Sequence, residues 1–429
     1  MRVLLTGATG FIGSAILARL QARGHEVTAV TRRVGPATRR LSPAKWVELD
    51  IARATRSQDW EAHLKDIDAV INCAGVLQDG GADSTAAIHL AGPTALFAAC
   101  EAAQVRRVIQ ISALGADPAA STSFMRSKGE GDRDLMARDL EWVVLRPSVV
   151  LGRTAYGGSA LFRALAALPV LPQIAGTGDL QVVQLDDLVE TVAFFLRPDA
   201  PGRVMLDIAG PERMSLENVI ANYRRWLGFN PVRTVAGAAL MPLIFRLGDA
   251  AGWLGWRPPV RTTARLELAR GSVADIGAWT AMTGIQPKRL AAALAEEPAS
   301  VQERWFANLY LLKAATFIVL ATFWIITGLI TLGPGLENGV RMLGDVGAGA
   351  LAGPLAVAGA CVDIVIGVGI ACRNTSRHAL WAALAVSAGY LVVGTLLASE
   401  QWAAPLGPMT KILPLMMLNL LALAIREDR

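Results

Sequence analysis

The chain has 429 residues, of which 53% are hydrophobic, with a mean hydropathy of +0.40 and a net charge of +5. This length exceeds one ordinary domain, and this composition excludes a disordered chain. The last 125 residues carry only seven Lys/Arg and six Asp/Glu, so a globular front half precedes a lipid-soluble back half. The small, dispersed charge excludes a nucleic-acid partner, and scattered His and Cys residues argue against a metal site.

The chain opens with an apolar strand at residues 2–6, a glycine turn, and a helical pattern from Ser14 to Arg23. Glycines three residues apart allow a tight turn and a close approach of backbone to a pyrophosphate. The helix N-terminus then offers free N–H groups and the positive end of a dipole. The pattern predicts a dinucleotide site whose contacting residues are Thr6, Gly7, Thr9, Gly10, Phe11, Ile12 and Gly13.

The second predicted strand, residues 26–31, ends in Arg32 and Arg33. A carboxylate at this point would bind the ribose hydroxyls of NAD, whereas two cations suit a 2′-phosphate. We therefore expect NADP(H) rather than NAD(H). A solvated arginine pair is the alternative.

Strand and helix patterns then alternate along the chain. The predicted strands are 46–49, 69–71, 107–111 and 142–145, and the predicted helices include 85–103 and 122–137. This alternation predicts an α/β fold, a doubly wound parallel sheet with the cofactor at the carboxyl edge of its strands.

Residues 150–185 and 205–300 are predicted to form a small substrate-side subdomain. Ser215 is a suitable N-cap for a helix that runs to Leu227, and a last soluble helix is predicted at 290–296. The apolar stretch 238–256 is interrupted by polar residues and carries Trp253. It either lies flat on a membrane surface or packs over the substrate cleft.

Residues 301–308 are predicted to link the globular half to four apolar runs, 310–332, 348–372, 379–398 and 406–425. Each has at least about 20 residues, the length that a helix needs to cross the hydrocarbon core. Cations between the second and third runs and after the fourth predict that both ends of the bundle face the cytoplasm. We expect an all-α, four-helix transmembrane bundle in a bacterial cytoplasmic membrane, with the N-terminal domain and the C-terminus inside.

Asp363 is the one acid within a predicted span. A bare carboxylate there is costly, so it should face the bundle, stay protonated or pair with a cation. A polar bond between helices and a proton or quinone role are both open.

Ordered motifs in residues 1–300 resemble those of extended and atypical short-chain dehydrogenase/reductases. The nearest likeness is to the NmrA-like members and to the nucleotide-binding accessory subunit of respiratory complex I. The motifs are Thr6–Gly13, Asp50-Ile51, Asn72-Cys73-Ala74-Gly75, Ile111-Ser112, Ser127-Lys128, Leu145-Arg146-Pro147-Ser148 and Gln184–Asp187. The resemblance implies that Asp50 and Ile51 border the adenine. It also implies cofactor contacts for Asn72, Cys73, Ala74 and Gly75 near the ribose, and for Pro147. The last part of the chain, 309–429, resembles the DoxX-like group of four-span membrane domains.

One departure from this family concerns its Tyr-x-x-x-Lys motif. Here the stretch begins with Phe124 and ends with Lys128, so the phenol that donates a proton to the carbonyl is missing. The resemblance implies that Lys128 still binds the nicotinamide ribose and that Ser112 stands near the position of the substrate-orienting serine. Lys128 and Ser112 are the candidate catalytic residues.

Two functions remain open. The protein either transfers hydride from NADPH to a quinone or another conjugated lipophilic acceptor, or binds NADP(H) without turnover as a redox sensor or an accessory subunit. The expected partners are the lipid bilayer and a quinone or a respiratory membrane complex.

Overall fold

The computed structural model describes residues 1–35, 38, 40–41, 44–80, 83–172, 174, 176–231, 234–235, 241–405 and 407–426. Its chain divides into two compact units. The first comprises Met1–Ala250 and Pro258–Ala307, and the second comprises Ala251–Arg257 and Asn308–Arg429.

The first unit is built on a seven-stranded, fully parallel sheet with the order β3-β2-β1-β4-β5-β6-β10. These strands are β1 (Arg2–Thr6), β2 (Glu26–Thr31), β3 (Lys45–Glu48), β4 (Ala69–Asn72), β5 (Arg107–Ile111), β6 (Glu141–Pro147) and β10 (Val204–Ile208). The strand order reverses between β1 and β4, which is where doubly wound sheets bind dinucleotides. The predicted parallel α/β fold is confirmed.

Short strands form two further pairs, β7 (Val150–Leu151) with β9 (Val183–Gln184) and β8 (Leu171–Pro172) with β11 (Thr234–Val235). A π-helical turn, Ala87–Ala91, immediately precedes the helix Gly92–Ala102. The α-helices of this unit are α1 (Phe11–Ala22), α2 (Gln58–Leu64), α3 (Gly92–Ala102), α4 (Ser123–Met136), α5 (Gly157–Ala167), α6 (Leu185–Phe195), α7 (Leu216–Trp226), α8 (Met241–Trp253), α9 (Thr262–Arg270), α10 (Gly277–Thr283) and α11 (Leu290–Glu296). The end of α8 passes into the second unit.

Both faces of the sheet are buried, because helices cover each of them. Along β1, Val3 and Leu5 pack in one apolar cluster with α1 and α6, while Leu4 belongs to another with α2 and α3. All three side chains are fully buried. Near-continuous apolar runs are typical of parallel strands that are covered on both sides.

The predicted N-cap of α7 is confirmed, since the Ser215 side chain accepts a hydrogen bond from the backbone N–H of Asn218. Within the apolar stretch 238–256, residues 238–240 lie outside the described residues. Trp253 is 85% exposed, so protein does not shield it and the membrane-surface interpretation stands.

The second unit is helical. Its elements are α12 (Val301–Leu332), which begins in the first unit, α13 (Leu336–Asp345), α14 (Ala352–Ala371), α15 (Ser376–Leu397) and α16 (Ile412–Ile425), with 3₁₀ turns at Gly349–Leu351 and Ser399–Trp402. Trp256 belongs to this unit, where its indole N–H donates to the Ala371 carbonyl at 2.7 Å and its ring meets Phe317.

Three helices among the described residues are long and apolar enough to cross a membrane: Val301–Leu332, Gly349–Ala371 and Ser376–Leu397. The fourth predicted span, 406–425, is shorter than expected. Residue 406 lies outside the described part, Gly407 has a positive φ of 55° and Pro408 follows it, so the helix begins only at Ile412. Its 14 residues extend about 21 Å, less than the roughly 30 Å of a hydrocarbon core.

The predicted linker 301–308 is wrong as a separate segment, because these residues form the first two turns of α12. The sequence from Val301 onward contains no proline or glycine before Gly328, so nothing interrupts the helix where its composition changes from polar to apolar. The link between the first two spans also contains a helix, α13, that was not predicted.

Candidate dinucleotide site

The turn between β1 and α1 is shaped for close backbone contact. Gly7 has a φ of 65°, and a Cβ placed on it would lie 2.7 Å from the Cys73 carbonyl carbon. A Cβ on Gly13 would lie 2.2 Å from the Gly7 carbonyl oxygen. Both positions therefore require glycine.

The N-terminus of α1 has no side-chain cap: Gly10 precedes it, and the Gly10 N–H donates to the Gly7 carbonyl at 2.8 Å. The first-turn N–H groups of Phe11, Ile12 and Gly13 are thus held in an anion-binding arrangement. A cradle that a single Cβ would fill, next to an uncapped helix end, fits the pyrophosphate of a pyridine dinucleotide.

A buried hydrogen-bond chain fixes the ends of β1 and β4, where the strand order reverses. The Thr6 hydroxyl donates to the Asn72 side-chain oxygen, and the Asn72 amide donates to Gln110 Oε1 at 2.8 Å. The Asn72 oxygen also accepts from the Ala74 N–H at 3.3 Å. Asn72 therefore supports the site indirectly, because it holds the loop that contains Cys73, Ala74 and Gly75.

The residues expected around the adenosine lie in two places. Arg32 forms an ion pair with Asp83 at 2.7 Å, whereas Arg33 is exposed and has no ion pair among the described residues. Asp50 is half-buried and accepts from the Ala52 N–H at 3.1 Å, while Ile51 is buried in the apolar core. Arg33 is consequently the freer of the two cations.

The side chains of Lys128 and His89 both lie against the loop that contains Gly75. Lys128 Nζ donates to the Ile111 carbonyl at 2.8 Å, and a Cβ on Gly75 would lie 3.4 Å from this nitrogen. His89 Nε2 accepts from the Val76 N–H at 3.0 Å, so the ring proton is on Nδ1, which lies 2.9 Å from the Ser127 hydroxyl. The structure thus brings Lys128, Gly75 and the loop after β4 together.

Burial dominates the electrostatics here. It lowers the pKa of Lys128, although Asp132 and Cys73 act against it, and it raises the pKa of Cys73 to about 12. Burial, followed by the charge of Lys128, lowers the pKa of His89 to about 2. His89 is therefore a neutral ring that positions the loop and holds Ser127.

Ser112 is placed differently from a substrate-orienting serine. It is 5% exposed, and its hydroxyl donates to the buried carboxyl of Asp132 on α4. Burial raises the pKa of Asp132, against the effects of the Ser112 hydrogen bond and the charge of Lys128. Pro147 is also buried, and its carbonyl accepts from the Leu114 N–H at 2.9 Å. Ser112 and Pro147 therefore both stabilise the edge of the sheet from within the protein interior.

Phe124 lies in the first turn of α4 with its ring edge-on to His89 at a centroid distance of 5.5 Å. The phenyl ring can exclude water, but it has no proton to donate. Beside it, α9 covers the segment after β5: Arg270 Nη2 donates to the Leu114 carbonyl at 2.9 Å, and Glu267 accepts from Thr122 at 2.6 Å.

The opposite face of α9 borders an apolar cavity of about 280 Å³. Leu266, Met241 and Phe245 are among its lining residues. This cavity lies within the predicted substrate-side segment and provides a site of apolar character beside α9, which also bonds to Leu114 and Thr122.

Sequence reasoning missed His89, Asp132 and Tyr156. Asp132 stands four residues after Lys128, a helical spacing that could have indicated the pair. His89 has no such local signal, because its contacts depend on the packing of the π-helical turn against α4. Tyr156 stacks on Phe11 of the glycine turn at 5.8 Å, a contact between segments distant in sequence.

These features define a dinucleotide-binding Rossmann domain that is followed by apolar helices. Residues 7–161 match an NAD(P)H-binding family, and residues 321–420 match the DoxX-like family. The chain thus carries an NAD(P)H-binding domain that is similar to short-chain dehydrogenase/reductases and a C-terminal DoxX-like domain, and three of its described helices are long and apolar enough to cross a membrane.

Two curated relatives are named as reductases. The chain is 29% identical over 309 residues to a 3-diazoavenalumate denitrifying reductase of a Streptomyces species, covering 64% of this chain and 93% of the relative. It is 26% identical over 206 residues to a ceramide reductase of Caulobacter vibrioides, covering 48% of this chain and 63% of the relative.

Solved structures of sugar-nucleotide enzymes share the fold. MoeE5 in complex with UDP-glucose and NAD superposes with a TM-score of 0.54 at 20% identity, covering 72% of this chain and 100% of that structure. The UDP-glucuronic acid 4-epimerase of Bacillus cereus, in complex with NAD, gives 0.53 at 18% identity, covering 73% and 99%. At these identities the likeness shows the extended Rossmann fold alone.

Proposed function

We propose that this protein is a membrane-anchored NADPH-dependent reductase of a conjugated lipophilic acceptor, such as a quinone. The proposal rests on two features that occur together. The glycine turn and the uncapped start of α1 are shaped for a nucleotide, and position 124 has a phenylalanine where the resemblance implies a tyrosine. The nucleotide, when bound, supplies a hydride. An acceptor that delocalises the resulting charge needs less help from a side-chain acid than an isolated carbonyl does.

The residues of this chain take distinct roles in the proposal. Gly7, Gly10 and Gly13 bind the pyrophosphate, and Lys128 binds ribose hydroxyls when it exchanges its bond to Ile111. Phe124 excludes water, and the apolar cavity next to α9 holds the acceptor's tail. Ser112 and Asp132 act as a buried support for Lys128 rather than on the acceptor.

The names of the two relatives support reduction as the chemistry. One relative is named for a lipid substrate, which agrees with an apolar cavity and with membrane anchoring. Topology follows from the loop cations: the nucleotide-binding unit faces the cytoplasm, where NADPH is available.

The test is NADPH oxidation by the full-length protein in detergent with a short-chain quinone. We expect turnover that is lost in Gly13→Val, because the new side chain clashes with the Gly7 carbonyl, and kept in Gly158→Ala, whose Cβ meets nothing closer than 4.0 Å. A well-folded protein that binds NADPH without oxidation in the presence of quinones or keto lipids would overturn the reductase.

NADP(H) preference rests on Arg33. Arg33→Ala should weaken NADPH binding by about tenfold, the effect of losing one exposed charge–phosphate contact of about 1.4 kcal/mol, and leave NADH binding unchanged. Arg133→Ala, an exposed cation on α4, is the matched control. Equal losses for both nucleotides would argue against recognition of a 2′-phosphate.

The second candidate is a sensor or accessory subunit that binds NADP(H) without turnover. Two observations favour it: Lys128 Nζ is already satisfied by the Ile111 carbonyl at 2.8 Å, and position 124 lacks a proton donor. Tight nucleotide binding with no turnover, together with co-purification of a respiratory membrane complex, would support this function over the reductase.

A further inference from the structure

The second unit, residues 251–257 and 308–429, is called the membrane unit from here on. Its interior contains four polar side chains, one from each of four helices. Trp324 lies on α12, Asp363 on α14, Ser387 on α15 and Asn419 on α16. Their exposed fractions are 2%, 4%, 1% and 0%. Each has one polar atom with no hydrogen-bond partner among the described residues: Trp324 Nε1, Asp363 Oδ1, Ser387 Oγ and Asn419 Oδ1. We call these four residues the polar cluster.

Trp324 and Asp363 lie on the faces that α12 and α14 press together. A Cβ on Gly328 would lie 2.5 Å from the Ala360 carbonyl oxygen, and a Cβ on Gly367 would lie 2.8 Å from the Ala321 carbonyl oxygen. Trp324 falls between the two contact points of α12, and Asp363 falls between those of α14. Small residues thus bring both backbones close at the level of the polar cluster.

Ser387 lies close to the level of Asp363 along the bundle. The Tyr390 hydroxyl is 3.8 Å from where a Gly359 Cβ would be, one turn from Asp363, and Ser387 lies one turn before Tyr390 on α15. Near the opposite end, Lys313 Nζ donates to the Arg426 carbonyl at 3.2 Å.

The bond between Lys313 and Arg426 serves as the reference point for the depths of Trp324 and Asn419. Trp324 is 11 residues from Lys313, about 16 Å along α12, and Asn419 is seven residues from Arg426, about 10 Å along α16. All four side chains therefore lie in the middle part of a bundle that crosses about 30 Å.

Unpaired polar groups in such surroundings are costly, because they lose their hydrogen bonds to water without gaining others. Local bonding does not account for the free atoms, because the Asn419 amide already donates to Leu415 of its own helix at 2.9 Å while its oxygen stays unpaired. Four free atoms on four helices, all in the middle part of the bundle, indicate a built site rather than a single misplaced residue.

The chemistry of the free atoms defines the ligand. Trp324 Nε1 can only donate, Asn419 Oδ1 can only accept, and Ser387 can do both. A matching group must accept one hydrogen bond and donate another, as a hydroxyl does. The indole N–H faces a cation unfavourably, and a charged ligand is costly at this depth, so the ligand is neutral.

We propose that the polar cluster binds the hydroxyl-bearing head of a neutral lipophile that enters from the bilayer. A hydroquinone and a hydroxyl-bearing lipid share this chemistry. The site belongs to the membrane unit alone and stands whether or not the nucleotide-binding unit is a reductase.

The experiment measures binding to the full-length protein in dioleoylphosphatidylcholine nanodiscs under reducing conditions. The probes are a decyl hydroquinone, its dimethyl ether, and dioleoylglycerol. We expect at least one hydroxyl-bearing probe to bind at least tenfold more tightly than the ether. A preference for the hydroquinone identifies that source, and a preference for dioleoylglycerol identifies the lipid.

Variants assign the binding to the polar cluster. Trp324→Phe and Asn419→Leu should each weaken binding at least tenfold. Thr395→Val is the matched control on α15, because its hydroxyl is exposed and bonds only within its own helix and to Trp402. NADPH binding and the thermal midpoint report folding, and Asn419→Leu should keep both, since it removes an unpaired group.

The proposal is overturned if the ether binds as tightly as the hydroxyl-bearing probes, or if no probe binds to a well-folded protein. It is equally overturned if Trp324→Phe and Asn419→Leu bind the preferred probe as the wild type does. Each of these results would assign the four residues to the packing of the bundle.

Discussion

In the proposed reductase, the side chain at position 124 decides which acceptors can be reduced. Phe124 stands four residues before Lys128, where the resemblance implies a tyrosine, and its ring packs edge-on against neutral His89. Phe124→Tyr should therefore raise NADPH-dependent reduction of an ordinary ketone, by up to the 10²–10⁴-fold that a general acid contributes. Initial rates with a simple ketone at saturating NADPH measure the effect.

The control for this variant is quinone reduction, which should change little because a delocalised acceptor depends less on the acid. Phe306→Tyr would serve as a matched substitution outside the site, since residue 306 lies on α12. Ketone rates that stay at background, with NADPH binding intact, would mean that the phenol cannot reach the acceptor from this position.

Buried His89 predicts a pH dependence of stability. Its pKa falls from 6.5 to about 2 on folding, chiefly by burial, so between these values the unfolded chain binds the extra proton. Stability should decrease as the pH drops below about 6.5, by about 1.4 kcal/mol per unit. His89→Gln, which keeps an acceptor for the Val76 N–H, should lose this part of the dependence.

The measurement compares thermal midpoints of the wild type and His89→Gln between pH 7 and pH 5. The difference between the two proteins removes contributions from Asp132 and other groups that both retain. If the two midpoints fall in parallel on acidification, His89 is not the residue that resists protonation.

Among the single residues of the site, those whose role depends on local spacing could be predicted from the sequence. Gly7 and Gly13 were predictable because a turn and a helix start impose them within seven residues. The partners of Lys128 were not, since His89 and Ile111 reach it only after the sheet and α4 pack. Ser112 shows the same limit: its strand position was correct, but its bond to Asp132 required the tertiary structure.

The close contact between α12 and α14 depends on glycine at positions 328 and 367. A Cβ on Gly367 would lie 2.6 Å from Ile325 Cγ1 and 2.8 Å from the Ala321 carbonyl. Gly367→Ala should force α12 and α14 apart and cost about 1–3 kcal/mol, as overpacking does. The thermal midpoint in a mild detergent and the monodisperse fraction after solubilisation report the loss.

Gly353→Ala is the matched control on the same helix, because a Cβ there meets nothing within 4 Å. It should be neutral or slightly stabilising, since alanine favours helix over glycine. Equal midpoints for the two variants would show that α12 and α14 tolerate greater separation than their close backbones suggest.

Elements were predictable to the extent that their signals are periodic. β1, β2, β5 and α11 have the predicted bounds because apolar alternation and breakers delimit them. The end of a span is harder to predict: α12 extends through the polar residues 301–308, and α16 starts late, at Ile412. Hydropathy measures how apolar a stretch is, whereas helix limits depend on glycine, proline and caps.

In the whole molecule, the first unit is connected to the second by the continuous helix α12 and by the segment 251–257. Residues 251–257 follow α8 but pack in the membrane unit, where Arg373 N–H donates to the Leu254 carbonyl at 2.9 Å. The composition shift near Trp305 predicted the two halves correctly. It could not predict that a segment 50 residues earlier belongs with the apolar helices, since that depends on packing.

Loop charge predicts how the membrane unit is oriented. Arg373 lies in the loop between α14 and α15 and Arg377 in the first turn of α15, whereas the segment around Ser399 has no cation, so this loop should face the cytoplasm. Asn374→Cys and Ser399→Cys, in a background without the four native cysteines, change no charge at either exposed position. In intact cells, a membrane-impermeant maleimide should label Ser399→Cys but reach Asn374→Cys only after lysis. The reverse pattern would place the nucleotide-binding unit outside the cytoplasm and away from NADPH, and the proposed reduction would then lack its electron donor.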